Sequence, residues 1–132
     1  MDYLFVYGTL MRDLNNGMSR FLQNNSEFVG NGYFYGKLFD LGWYPGAVES
    51  GEPNEYVHGN IFKLKDSVTV FKVLDDYEGI GDGDPGLYEY KRELVMAYLE
   101  DGTAIKTWFY AYNHPTEKLI QIPSGNYLDK GH

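Results

Sequence analysis

Residues 3–10 read YLFVYGTL, a short apolar and aromatic run that is interrupted by a glycine. A run of this length, rich in residues that favour strands and bounded by a turn residue, predicts a buried β-strand. Gly8 then predicts a tight loop, because glycine is the usual residue where a strand ends abruptly. The chain therefore begins with a buried strand that runs into the loop Tyr7-Gly8-Thr9-Leu10.

The rest of the chain predicts more strands than helices. Alternation of apolar and polar residues predicts strands within residues 28–41, 57–64, 88–99 and 104–112, the last two joined as a hairpin by a turn at 100–102. Helical spacing predicts one helix in part of 14–24 and another that begins at Asp66 or Ser67 and ends at Gly79. Pro45-Gly46 predicts a turn. This order indicates an α+β domain built on a curled, partly closed sheet.

Composition limits the class of protein. The 132 residues fit one domain over residues 1–132, and 19 acidic against 11 basic residues give a net charge of −8 without a basic stripe for nucleic acid. There is no cysteine, no apolar run long enough for a membrane span, and no basic N-terminal region of a signal peptide. We therefore expect a cytoplasmic protein that binds neither nucleic acid nor membrane.

Two motifs in the middle of the chain have simpler explanations than a ligand site. The pattern G-x-G-x-x-G occurs at residues 81–86, but the predicted order is helix, loop, strand, and Asp82 and Asp84 would repel a pyrophosphate. Residues 75–84 hold five acids and no base, yet the closing glutamate of an EF-hand loop is missing. A surface turn and solvated charge explain both features better than a dinucleotide or a metal ion.

Two other features keep a functional and a structural interpretation open. Gly8 could let a ligand approach backbone amides that would hold a carboxylate or an oxyanion, or it could be an ordinary glycine between strand and loop. Glu78, at a helix end beside Gly79, could be a partly buried general acid–base or an exposed acid.

Taken together, the motifs resemble the γ-glutamylcyclotransferase-like family, which includes γ-glutamylamine cyclotransferases and plant AIG2-like proteins. The matching pieces, in chain order, are residues 6–10 (VYGTL), 41–48 (LGWYPGAV), 57–62 (VHGNIF), 74–79 (LDDYEG), 90–92 (YKR), 108–110 (WFY) and 124–127 (SGNY). Each piece is short, and their order and spacing carry the resemblance.

The resemblance implies a small mixed β-barrel flanked by short helices, with a pocket at its mouth. It also implies cyclisation of a γ-glutamyl compound to 5-oxoproline with release of an amine, without cofactor or metal. Glu78 matches the family's catalytic glutamate. Substrate-binding residues would be Tyr7, Gly8, Thr9, Leu10 and Tyr127.

The resemblance leaves three points open. Tyr90 and Arg92 could belong to the pocket or only to its supporting structure. Because some members of the family lack the glutamate, a non-catalytic module that binds a metabolite in the same pocket is the alternative function. The amine half of the substrate and the oligomeric state do not follow from the sequence.

Overall fold

The apolar run at residues 3–7 supplies the central strand of a barrel. The computed structural model describes residues 1–129. They include seven strands: β1 (Tyr3–Val6), β2 (Ser26–Asp40), β3 (Pro45–Glu49), β4 (Tyr56–Leu64), β5 (Tyr90–Leu99), β6 (Ala104–Tyr112) and β7 (Ile120–Gln121). Five of them pair in the order β2-β4-β1-β6-β5, and β5 pairs back with β2, which closes the barrel. Only β1 and β6 are parallel, so the barrel is mixed as predicted.

The burial of β1 on both faces explains its continuous apolar sequence. Phe5 points into the barrel, where its ring meets that of Phe34 edge-on with centroids 5.0 Å apart. Leu4 and Val6 face the opposite way, into a second core beneath the helices. Each buried side chain of this size contributes about 1.5–3 kcal/mol to folding through the hydrophobic effect. The strand is therefore shared by two cores.

Two helices cover the second core. They are α1 (Gly17–Asn24) and α2 (Ser67–Tyr77), and neither could span a membrane, nor could any other helix within residues 1–129. α1 begins at Gly17 because Asn16 and Ser19 form a capping box, in which each side chain accepts from the other's backbone N–H. α2 is capped by Asp66 rather than Ser67, since the Asp66 carboxylate accepts from Thr69 N at 3.2 Å.

The loop before β3 corrects the turn predicted at Pro45-Gly46. The bend lies just before these residues, where Leu41 N donates to Tyr44 O at 3.0 Å and Gly42 has a φ of +108°. Pro45 and Gly46 are the first two residues of β3. A proline is tolerated at the first residue of a strand, so the Pro-Gly pair marks the start of a strand rather than a turn.

β2 is long enough to serve two sheets. Its first part pairs with β4, with a bulge between Phe28 and Gly30, and two of its residues pair with β5. From Gly36 onward it leaves the barrel and pairs with β3, and its last two residues also pair with β7. This extension brings β3 alongside the end of β1, where Gly8 contacts Pro45.

The predicted hairpin of β5 and β6 is confirmed. Its strands pair without interruption from Tyr90↔Tyr112 to Tyr98↔Ala104, and Gly102 at the turn has a φ of +90°. Together, the closed mixed barrel and the two short helices confirm the predicted α+β class.

Close approach of β4 to β1 depends on Gly59. A methyl group added there would lie 2.0 Å from the Val6 carbonyl oxygen and 2.9 Å from the Phe5 ring. The backbone of β1 cannot move aside as a flexible side chain would, so a methyl group at Gly59 would force β4 and β1 apart.

We therefore expect Gly59→Ala to lower the free energy of unfolding by about 3 kcal/mol or more. Gly17→Ala is the matched control, because a methyl group at that helix position meets no atom within 4 Å. We expect the control to be neutral or stabilising by up to about 1 kcal/mol. Urea unfolding followed by circular dichroism measures both, and equal midpoints for the two variants would contradict the packing argument.

Candidate active site

A cavity of about 450 Å³ opens at the end of β1, a size suited to a small molecule. Its wall comes from the end of β1 and the loop after it, the loop before β3, the end of α2, and strands β5 and β6. Aromatic rings and two carboxylates, Glu78 and Glu89, line it, and the described lining residues include no Lys, Arg or His. Within residues 1–129, the side chains that line the cavity therefore contribute negative but no positive charge.

The loop after β1 presents backbone donors to the cavity. Gly8 O accepts from Met11 N at 3.0 Å, which makes a turn with Thr9 and Leu10 at its centre. Asn16, the cap of α1, fixes this turn by donating from Nδ2 to Thr9 O at 2.6 Å. The amides of Thr9 and Leu10 donate to no acceptor within residues 1–129. Two such adjacent N–H groups can hold an anion.

Packing against β3 is enough to explain why a glycine occupies position 8. A methyl group at this position would lie 2.7 Å from Cγ of Pro45, so only glycine lets the loop pack against the start of β3. Packing therefore requires Gly8, and the amides that could serve a ligand are those of the next two residues.

A C-terminal cap on α2 fixes the position of Glu78. Gly79, with a φ of +79°, donates to Asp76 O at 3.0 Å, and Ile80 donates to Asp75 O at 2.8 Å. These two bonds form a Schellman motif, in which the residue after the cap adopts the left-handed conformation that suits glycine. The glycine predicted to end the helix does so, and Glu78 becomes the capping residue at the cavity wall.

The surroundings of Glu78 favour its protonated form. The side chain is half-buried, and the pKa of its carboxyl is raised from 4.5 to about 7, with burial as the largest cause. The negative charges of Glu89 and Asp75 contribute to the same rise. A carboxyl that titrates near neutral pH can both accept and return a proton, which is the property of a general acid–base.

Two tyrosine hydroxyls hold the wall behind the cavity. Tyr7 Oη donates to Tyr110 O at 2.6 Å and accepts from Ala47 N at 3.2 Å. Tyr90 Oη donates to Pro45 O at 2.6 Å. Burial raises the pKa of both phenols, so both stay protonated. Since these bonds occupy the Tyr7 hydroxyl, the part of Tyr7 left for a ligand is its ring.

Asp75 connects α2 to the barrel below Glu78. Its carboxylate accepts from Tyr110 Oη at 2.7 Å and from Arg92 Nη2 at 3.3 Å. The Arg92 guanidinium also lies 3.9 Å from the centre of the Phe71 ring, a cation–π contact. Of the two residues considered for the pocket, Tyr90 lines the cavity, whereas Arg92 supports its wall from behind.

Five of the six predicted site residues line the cavity, and one does not. Thr9 Oγ1 lies 3.1 Å from Tyr77 Oη, which joins the loop to the end of α2. The five predicted residues that line the cavity are Tyr7, Gly8, Thr9, Leu10 and Glu78. Tyr127 is not among the lining residues; its hydroxyl donates at 3.0 Å to the carbonyl of Trp43, which is one of them. A role for Tyr127 in binding stays a prediction.

Sequence reasoning missed Glu89 and Tyr44. Tyr44 Oη lies 2.8 and 2.9 Å from the two Glu89 oxygens and donates to that carboxylate at the cavity wall. Glu89 is one acid among 19 and belongs to no motif, and the only available signal was its place directly before the matching piece at residues 90–92.

The acidic stretch at residues 75–84 does not converge on a metal ion. Within residues 1–129, no three His, Cys, Asp or Glu side chains come close enough together to hold one. Asp84 instead accepts from Gly86 N at 2.9 Å and caps the short 3-10 turn Pro85–Leu87. The absence of a cofactor stays a prediction.

The chain matches one protein family over nearly its whole length. Residues 4–129 match the family described as "Gamma-glutamyl cyclotransferase, AIG2-like". The gamma-glutamylcyclotransferase family protein ytfP of Citrobacter rodentium is 34% identical, with 96% of each chain covered. The counterpart in Escherichia coli K12 is 33% identical over the same shares.

Solved structures show the same fold. The solution structure of protein ytfP from Escherichia coli has a TM-score of 0.65 and 30% identity, and the match covers 98% of this chain and 99% of that one. An aig2-like protein from Mus musculus has a TM-score of 0.67 over 89% of this chain and 81% of its own, and at 23% identity it supports the fold alone. The chain therefore belongs to the AIG2-like gamma-glutamyl cyclotransferase family.

Proposed function

We propose that the chain is a cofactor-free enzyme that cyclises a γ-glutamyl compound to 5-oxoproline and releases a free amine. Membership of the family and the fold support a γ-glutamylcyclotransferase-like function. The observation that carries the finer proposal is one cavity containing both Glu78, with a pKa of about 7, and the two backbone amides of Thr9 and Leu10 without protein acceptors. These supply a base and donors for an oxyanion.

Glu78 acts first as a base. The α-ammonium of the glutamyl group gives a proton to the Glu78 carboxylate, and the nitrogen lone pair then attacks the γ-carbonyl carbon. A five-membered ring forms because both reacting atoms belong to one residue, so the cavity has only to hold the substrate folded. The amides of Thr9 and Leu10 stabilise the negative charge that develops on the carbonyl oxygen.

Glu78 then acts as an acid. The bond from the γ-carbon to the departing nitrogen breaks, and Glu78 returns its proton to that nitrogen. The ring nitrogen loses its second proton to solvent as it becomes a lactam, and the released amine takes up a proton from solvent. The carboxyl is then ionised again and ready for another cycle, and no electron is transferred at any step.

Replacement of the base tests the mechanism directly. Glu78→Gln keeps the shape of the side chain but cannot accept a proton, so we expect 5-oxoproline release to fall at least about 100-fold. Mass spectrometry of a panel of γ-glutamyl compounds measures the product. Glu117→Gln, the same change at an exposed position away from the cavity, is the matched control. Wild-type turnover by Glu78→Gln would refute the assigned base.

The pH dependence of the reaction follows from the pKa of Glu78. Only the ionised carboxylate can accept the proton, so kcat/KM should rise with pH and level off above an apparent pKa of about 7. A pH–rate profile measures this limb. A midpoint near 4.5, the ordinary value for a glutamate, would contradict the raised pKa.

Stability gives a second measure of the same pKa without any substrate. Because folding raises the pKa of Glu78 from 4.5 to about 7, charging the carboxyl costs more in the fold than in the unfolded chain. Wild type should therefore lose stability relative to Glu78→Gln as pH rises through this window, by up to about 3 kcal/mol. Thermal unfolding at about pH 5 and about pH 8 measures the difference. A constant difference would contradict the shift.

The alternative is a non-catalytic module that binds a metabolite in the same cavity. It predicts a rise in Tm with a γ-glutamyl compound and no product from any of them. The substrate panel therefore separates the two functions, since the enzyme must release 5-oxoproline from at least one compound.

A further inference from the structure

The indole of Trp43 lies at the opening of the cavity. Trp43 belongs to the cavity lining, and yet 92% of its surface is exposed. Tyr77, at the end of α2, is 45% exposed, and the other described lining residues are buried or only partly exposed. A side chain that lines a cavity and also faces solvent marks the place where that cavity opens. Two aromatic side chains therefore stand where a bound ligand would meet the solvent.

The backbone of Trp43 is held by hydrogen bonds, whereas its side chain is not. The Trp43 carbonyl accepts from Tyr127 Oη at 3.0 Å, and the preceding residue, Gly42, donates from its N–H to Asp40 Oδ1 at 2.7 Å. Within residues 1–129, the indole makes no hydrogen bond and no contact with another ring. The bend therefore holds the indole at a fixed place without using it for packing.

An indole presented in this way is well suited to bind a ligand. Tryptophan has one of the largest apolar surfaces of any side chain, and covering that surface removes it from water. It also has only two side-chain torsions to fix, so contact with a ligand costs little conformational entropy. The hydrogen bonds of the bend lower this cost further, because the backbone is ordered before the ligand arrives.

We propose that Trp43 is a substrate-binding residue whose indole packs on the departing half of the substrate, and that Tyr127 positions it. The inference rests on the proposed function for the orientation of the substrate. Glu78 and the amides of Thr9 and Leu10 act on the glutamyl group, so the departing half is the part that reaches the opening. The contact is apolar and does not depend on the charge of that half. Tyr127 acts through the Trp43 carbonyl rather than by touching the substrate.

Three neutral amides that differ only in carbon atoms test the contact. L-Glutamine, γ-glutamylethylamide and γ-glutamylhexylamide are titrated calorimetrically into Glu78→Gln, where turnover does not interfere. Affinity should rise a few-fold for each methylene group that packs on the indole. Adding Trp43→Ala should weaken binding of the hexylamide about ten-fold or more and that of glutamine by less than about two-fold. Equal losses for the two compounds, or no loss, would overturn the proposal.

The matched control is Ile120→Ala in the same Glu78→Gln background. Ile120 is an apolar side chain with 74% of its surface exposed, its strand pairs with the end of β2, and it is not among the residues that line the cavity. This control should keep the affinities for all three amides. A loss for the hexylamide as large as that of Trp43→Ala would overturn the proposal, because it would show a general effect of surface apolarity.

Tryptophan fluorescence reports the contact without replacing the residue. The chain has two tryptophans, and Trp108 is not among the described cavity-lining residues, since its indole bonds to Asp2 at 3.3 Å and packs on Phe71. The hexylamide should shift the emission of Glu78→Gln to shorter wavelength and reduce its quenching by acrylamide, and glutamine should do so much less. Adding Trp43→Phe should remove the response. A response that persists in that variant, or hexylamide binding without any response, would overturn the proposal.

Tyr127→Phe tests the positioning role, because it removes only the hydroxyl that donates to the Trp43 carbonyl. In the Glu78→Gln background, it should weaken binding of the hexylamide several-fold and leave glutamine unchanged. When Trp43 is already replaced by alanine, Tyr127→Phe should have no further effect, since residues that act as a unit are not additive. Additive losses, or an equal loss for glutamine, would overturn the role assigned to Tyr127.

Turnover separates this inference from the proposed function. In the protein with Glu78 intact, Trp43→Ala should raise KM for the hexylamide with little change in kcat, because the indole binds ground state and transition state alike. If no compound yields 5-oxoproline but Trp43→Ala selectively weakens hexylamide binding, the reaction fails and the assignment of Trp43 stands. If 5-oxoproline is released from the hexylamide and Trp43→Ala leaves its KM unchanged, the reaction stands and the assignment fails.

Discussion

The cavity depends on the hydrogen bonds of two buried tyrosine hydroxyls. Tyr7, directly after β1, and Tyr90, in β5, reach to the first residues of β3, and Tyr7 also bonds to β6. A buried polar group without a hydrogen-bond partner costs about 1–3 kcal/mol. These hydrogen bonds therefore hold the tyrosines and the bonded strands in fixed positions. Four strands are thereby fixed around one point. Tyr110 extends the arrangement through Asp75 to the end of α2, and so to Glu78.

Backbone amides suit this cavity better than a basic side chain would. A lysine or arginine beside Glu78 would favour the carboxylate and lower its pKa, which would weaken it as a base near neutral pH. The amides of Thr9 and Leu10 offer donors with only partial charge. Glu89 acts in the opposite direction, because its negative charge helps to keep the pKa of Glu78 high. The groups proposed to bind the oxyanion and to transfer the proton are thus compatible in a small volume.

Local patterns predicted much of this structure, and contacts between distant residues account for most of what they did not predict. Alternation predicted the β5–β6 hairpin, and Gly79 marked the end of α2 because its conformation is set within one turn of helix. The loop at residues 7–10 was predicted from the end of a strand, and Glu78 was predicted from the end of a helix. The resemblance to the family indicated both as site residues. Glu89 could not be singled out, because its importance comes from Tyr44, 45 residues away. The turn predicted at Pro45 was wrong for a local reason, because β2 and β3 pair from Asp40↔Pro45 onward and the bend between them lies at residues 41–44.

The parallel pairing of β1 with β6 affects the order in which the chain folds. Leu4 lies opposite Trp108, so the strand that leads into the cavity loop is synthesised before both of its neighbours and meets one of them about a hundred residues later. Until then, one edge of β1 has no partner, and neither core that shares this strand is complete. Contacts so distant in sequence slow folding and prolong the exposure of apolar edges. The nascent chain therefore passes through a stage in which its most apolar strand is open to other chains.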